Sequence, residues 1–159
     1  MLADMESTSD PVDAVRALER AEAAPYVRLG PAPSWVAPAF GAWFAGWVGM
    51  WALWGWNRIA FAGACVLLIA ALGGIVRATS GSAGAVPVLG RGTPPPEIAR
   101  LHRAYVVGCL VVAAAVALVW WWAGIGAAAA AALVLVTAGL ARYATRYERA
   151  ASAVRDRLG

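Results

Sequence analysis

The sequence contains no lysine: all 13 of its basic residues are arginine. Charge of either sign is scarce, at 14% of 159 residues, where a soluble domain carries about a quarter. With 62% hydrophobic residues, the chain has too little polar surface to cover a soluble globule of its size, and a bilayer is the expected environment. The arginine-only basic complement points to GC-rich coding and so to a bacterial inner membrane.

Histidine and cysteine are almost missing, and this removes several chemistries. His102 is the only histidine, which excludes bis-histidine haem ligation within one chain. A metal site would need Glu97 or a second subunit beside it. With Arg100 and Arg103 adjacent, His102 is expected to be an interfacial side chain. Cys65 and Cys109 are the only cysteines, too few for a metal cluster or a Cys-x-x-Cys redox pair. They lie on the order of 10 Å apart in depth, by helical rise, beyond disulfide reach, and read as small core residues.

No Asp, Glu, Lys or His falls inside the long apolar runs. Ionisable groups at that depth mark transport and proton pathways, so a proton-coupled exporter, which needs a membrane carboxylate, is not expected. Neither paired carboxylates nor a Ser–His–Asp arrangement can be drawn from these runs. Gly81, Gly84, Gly90 and Gly92 lack the spacing, the following Lys and the preceding strand of a phosphate-binding loop. No catalytic, cofactor-binding or metal-ligating residue is therefore assigned, and no enzymatic activity is expected. The first 30 residues hold most of the acids and lack the apolar core of a secretory signal, so none is expected there.

What is present is two pairs of apolar runs. In the stretch 38–77, two uncharged segments meet at Trp54, Gly55, Trp56 and Asn57. Each is long enough to cross a hydrocarbon core of about 30 Å as a helix, so 35–77 is expected to be a transmembrane hairpin with spans at about 36–54 and 58–76. From Ala104 to Ala141 the chain carries no formal charge. One helix over that length would reach roughly 57 Å, nearly twice the core, so the run must be broken. Trp122, Ala123, Gly124, Ile125 and Gly126 supply the break, giving spans at about 104–121 and 125–141 within a second hairpin at 97–141.

The remainder trims these hairpins. Asp10, Pro11 and Asp13 form a helix-start signal, and Ala14, Val15, Leu18 and Ala21 recur at helical spacing, so a short amphipathic helix is expected in the tail 1–34. Pro25, Pro31 and Pro33 then interrupt it. Residues 78–96 are rich in Gly, Ser and Pro and read as a flexible linker. Beyond Arg142, over 142–159, Arg142, Arg146 and Arg149 share one side of a helix and Tyr143, Tyr147 and Val154 another. Such a basic amphipathic helix lies along anionic headgroups or pairs with a partner, and anchoring at the headgroups is the expectation.

Twelve arginines lie in the tails and the long linker, and Arg58 alone lies in the two short turns. The positive-inside rule then places both termini in the cytoplasm. Arginines that flank apolar runs in this way are set by membrane lipids and their anionic headgroups, and nucleic acid is not an expected partner.

Within the first span two stripes separate. Gly41, Ala45 and Gly49 recur every fourth residue and invite close helix packing; Ala70 and Gly74 offer a similar pair in the second span. Trp43, Trp47 and Trp51 lie about 200° around the same helix and fill packing or lipid-facing volume, or else form a wall for a flat apolar ligand. Trp35, Trp54, Trp56, Trp120, Trp121 and Trp122 suit interfacial belts.

The expectation is an all-α integral membrane protein of four transmembrane helices in two hairpins. A non-enzymatic accessory, scaffold or assembly subunit, packing on other membrane subunits or on itself, fits best. The alternative is a homo-oligomeric transporter or channel for a small or apolar solute, for which a polar ring contributed by Thr137 is the one hint.

Overall fold

The computed structural model describes residues 17, 18, 21, 33–80 and 96–158, and every element among them is helical. Helix α1, Val36–Gly49, begins after Pro33, whose carbonyl accepts from the Val36 N–H at 3.1 Å. Pro38 falls in the first turn, where a backbone N–H would lack an intrahelical partner anyway. At Met50 the backbone stays helical (φ −61°, ψ −24°) and its N–H donates to the Gly46 carbonyl. The short α2, Trp51–Trp54, therefore continues the same rod.

The N–H groups of Trp56 and Asn57 both donate to the Leu53 carbonyl, at 3.1 and 2.8 Å, which closes this rod. Asn57 then opens the next helix. Its Oδ1 accepts from the N–H groups of Ile59 and Ala60 at 2.9 and 3.1 Å, satisfying donors that a helix start leaves unpaired. Helix α3, Arg58–Ser80, runs beyond Arg77, where the sequence alone ends it. Ala78 is a strong helix former, and the Thr79 hydroxyl donates back to the carbonyls of Ile75 and Val76 at 2.9 Å. Residues 78–80 thus belong to the helix and not to the linker. Pro96, at the far end of that linker, opens the next helix; residues 81–95, and all of the N-terminal amphipathic segment except Ala17, Leu18 and Ala21, lie outside the described residues.

Helix α4, Pro96–Leu158, is helical throughout except at Gly124, with φ 81° and ψ 177°. The rings of Tyr105 and Tyr143 lie 4.7 Å apart, although a straight helix would separate them by roughly 57 Å. The element therefore folds back on itself at Gly124, giving a first limb at 96–123 and a second limb at 125–158. Only glycine readily adopts this extended, positive-φ backbone.

Among the described residues, three helices are long and apolar enough to cross a membrane: Val36–Trp54, Arg58–Thr79 and Ile98–Arg157, the last containing the Gly124 break. The α1 helix makes its largest interface with α4 and a smaller one with α3. Buried positions in the apolar stretches are mostly small: Gly41, Ala128 and Ala132, with Met50 beside them. The large side chains Ile59, Val66, Leu67, Leu110 and Val111 are exposed instead. At the open end of the α4 hairpin, Ile98, Tyr147 and Ala151 form a buried cluster with Tyr143 packed against it.

Gly124→Ala is expected to lower the thermal unfolding midpoint in detergent, since this backbone region costs other residues on the order of 1–3 kcal/mol. Gly126 is helical and faces open space, so Gly126→Ala should be neutral or mildly stabilising. Equal midpoints for the two variants would show that the Gly124 conformation does not fix the turn.

Candidate functional site

The tightest place in the molecule is where α1 crosses the second limb of α4. A Cβ placed on Gly41 would collide with the Thr137 Oγ1 and come 2.9 Å from the Leu133 carbonyl oxygen. Eight residues along α1, a Cβ on Gly49 would meet the Ala129 Cβ at an ordinary 3.9 Å. The residue numbers rise on α1 as they fall on α4, so the helices are antiparallel. Ala45, between the two glycines, is half-buried. Gly41 thus lets the backbones approach to a distance that a side chain there would forbid.

A second face of α1 meets α3. The Trp43 indole Nε1 donates to the Leu68 backbone carbonyl at 2.8 Å, and a Cβ on Gly46 would stand 2.8 Å from the Leu68 Cδ2. Trp43 also packs edge-on against Phe44 and Trp47, at ring separations of 5.0 and 5.8 Å. Trp43 is thus tied into the interface between the two helices. Gly46 carries no sequence signal of its own, because it belongs to neither four-residue stripe; only the contact with Leu68 reveals it. Ala70 is exposed, and a Cβ on Gly74 would meet nothing within 4 Å. That pair stands on an open face of α3.

The tryptophans 35, 54, 56, 120, 121 and 122 are all exposed. Trp51, Trp54 and Phe61 pack together at the α2–α3 turn, with rings 4.9–6.2 Å apart. The Arg58 guanidinium lies over the Trp54 ring, 5.5 Å from its centroid, a cation–π geometry. Cys65 and Cys109 are both free. The Cys65 thiol donates to the Met50 Sδ at 3.6 Å, and Cys109 is exposed.

The tyrosine cluster departs from expectation. Arg142, Arg146 and Arg149 are exposed, but Tyr147 and Ala151 on the opposite side bury against Ile98 of the first limb. Because the second limb continues without a break from Gly126 to its end, this segment extends along the axis of the limb, with its apolar side already covered. His102, expected at an interface, has its Nε2 buried and without a hydrogen-bond partner. The Tyr143 hydroxyl is in the same condition, as are Trp47 Nε1 and Thr137 Oγ1. Among the described residues no three His, Cys, Asp or Glu side chains come together.

No protein family, curated protein or solved structure matches this chain. The site must therefore be read from its own geometry, and that geometry is one of packing. Gly41 and Gly46 set the spacing of α1 against the second limb of α4 and against α3, Trp43 ties α1 to α3, and Thr137 lies in the first seam.

Gly41→Ala is expected to destabilise the protein by about 1–3 kcal/mol, the usual range for overpacking, read as a lower thermal midpoint in detergent. Gly49→Ala should cost much less, because its Cβ has room. Adding Thr137→Ala to Gly41→Ala removes one of the two collisions, so the double variant should lose less than the sum of the single losses. Strict additivity would place Gly41 and Thr137 out of contact.

Proposed function

We propose that the chain is a four-span inner-membrane protein, with spans at about 36–54, 58–76, 104–121 and 125–141 and with both termini cytoplasmic. The fold-back at Gly124 supports two spans in α4, since each limb then has an apolar length near that of a bilayer core. The one-sided arginines support the orientation, and the arginine-only basic complement supports a bacterial source.

Within that frame we infer a non-enzymatic accessory, scaffold or assembly subunit. One observation carries this reading. Helix α3 packs on α1 and α2 while exposing Ile59, Val66, Leu67 and Ile69 and three glycines, 63, 73 and 74, whose Cβ positions meet nothing. A side that combines large apolar groups with room for close approach suits another transmembrane helix. Thr137 sits within the seam against Gly41, so a solute path through this chain would be lined almost wholly by apolar side chains. This favours the accessory reading over a channel.

Orientation is tested in a Cys65→Ser, Cys109→Ser background by adding one cysteine at Gly55 or at Ser152. Impermeant thiol reagent applied to intact cells should label position 55 and spare position 152, and the opposite pattern would invert the topology. The role is tested by purifying the full chain from its native membrane in gentle detergent. A larger membrane protein in fixed stoichiometry is the expected outcome. A uniform homo-oligomer that passes solute in liposomes would replace this reading with the transporter.

A further inference from the structure

Opposite its buried tyrosine side, the second limb of α4 carries a stripe of arginines. Arg142, Arg146 and Arg149 are exposed and, at about 100° per residue, fall within roughly 60° of one another around the helix. None of the three makes an ion pair with another described residue. Glu148 points about 120° away from the stripe, and Asp156 shares its face only two turns beyond Arg149, about 10 Å along the axis.

Headgroups reach the base of this stripe and not its outer end. By helical rise Arg149 stands about 10 Å beyond Arg142, whereas the headgroup layer adds roughly 5–7 Å on each side of the hydrocarbon core. The chain supplies another polyanion. Asp4, Glu6, Asp10 and Asp13 precede the first arginine, Arg16, and after Glu22 eleven arginines are balanced by only Glu97, Glu148 and Asp156. The acidic stretch also joins the helices at the level of the stripe. Gly41 of α1 lies against Leu133 and Thr137, and Gly49 against Ala129; the same antiparallel register puts Val36, where α1 begins, near the level of Arg142. The stripe is on the far side of the limb, so the connection must pass around a helix about 10–12 Å in diameter. The residues from Ala14 to Pro33 span roughly 45–50 Å even with half of them helical, so reach is not limiting. An acidic segment carried on the same chain competes at an effective concentration of order millimolar.

We propose that the acidic segment 4–13 docks on Arg142, Arg146 and Arg149, folding the N-terminal tail back onto the basic end of the second limb. Each contact is an exposed ion pair, weak alone and screened by salt; number and tethering make the interaction. The membrane-spanning reading enters only in placing the headgroups, and the labelling and purification experiments above fail separately from the one below.

The test places cysteines at Ser9, beside Asp10, and at the exposed Ala153, one turn beyond Arg149 on the stripe, in a Cys65→Ser, Cys109→Ser background. The full chain in phosphatidylcholine vesicles, treated with a short bis-maleimide, should cross-link within one chain. Arg142→Glu, Arg146→Glu and Arg149→Glu together should lower the yield about fivefold, three exposed pairs each contributing a factor of just under two. Salt at 1 M should lower it likewise, since charges then act over only about 3 Å. Adding Asp4→Arg, Glu6→Arg, Asp10→Arg and Asp13→Arg to the triple variant should restore the yield, which neither a folding defect nor a lipid contact would do. An unchanged yield in the triple variant, no restoration by the reversed tail, or a cross-link between two chains in place of one within a chain would each overturn the proposal. Loss of the cross-link on adding phosphatidylglycerol would overturn it too and give the arginines to headgroups.

Discussion

The approach of Gly41 to the Leu133 carbonyl and the Thr137 hydroxyl is the constraint on which the other contacts depend. In lipid there is no hydrophobic gain from bringing two apolar helices together, because acyl tails are as apolar as leucine. Association then comes from dispersion contacts and interhelical hydrogen bonds, and dispersion falls off steeply with separation. Removing the side chain at Gly41 lets two backbones meet at a distance where many atoms touch at once. The distribution of size agrees: Ala128 and Ala132 are buried, and leucines and valines face outward. In the four-span reading this is ordinary economy, since a leucine gains little by leaving lipid.

A single seam also fixes the order of the helices. On α1 the face of Gly41, Ala45 and Gly49 lies roughly 130° around the helix from that of Trp43 and Gly46. The first face takes the second limb of α4 and the other takes α3. The Trp43 indole then adds a direct tie to the Leu68 carbonyl, a bond worth about 0.6 kcal/mol in a membrane setting by the average of measured pairs. Shape does more here than hydrogen bonding, but the indole sets the register that shape leaves loose.

Much of this was legible in the sequence because it depends on local signals. The break in the long apolar run lies at a glycine, and the Gly41–Gly49 stripe has the period of the helix that carries it. What was hidden depends on partners distant in sequence. Gly46 has no periodic companion and gains its meaning from Leu68. Arg77 resembles a stop, yet the helix runs on to Ser80. The division of Tyr143 and Tyr147 from the arginines resembles a surface-lying helix until Ile98, from the other limb, covers the tyrosine side. Amphipathicity shows that a face is covered and does not name the cover. A flat lipid surface and a neighbouring helix leave the same pattern.

The buried polar atoms mark where this packing is least complete. Trp47 Nε1 and Thr137 Oγ1 lie within the apolar stretches, and His102 Nε2 and Tyr143 Oη lie near the open end of the α4 hairpin, all without a hydrogen-bond partner. An unsatisfied buried donor or acceptor costs about 1–3 kcal/mol. A hydroxyl can recover part of that by turning toward a carbonyl of the preceding turn of its own helix, as Thr79 does, so Thr137 has a cheap remedy. An indole or imidazole has no such reach along its own backbone. Trp47 and His102 must be satisfied by a neighbouring element.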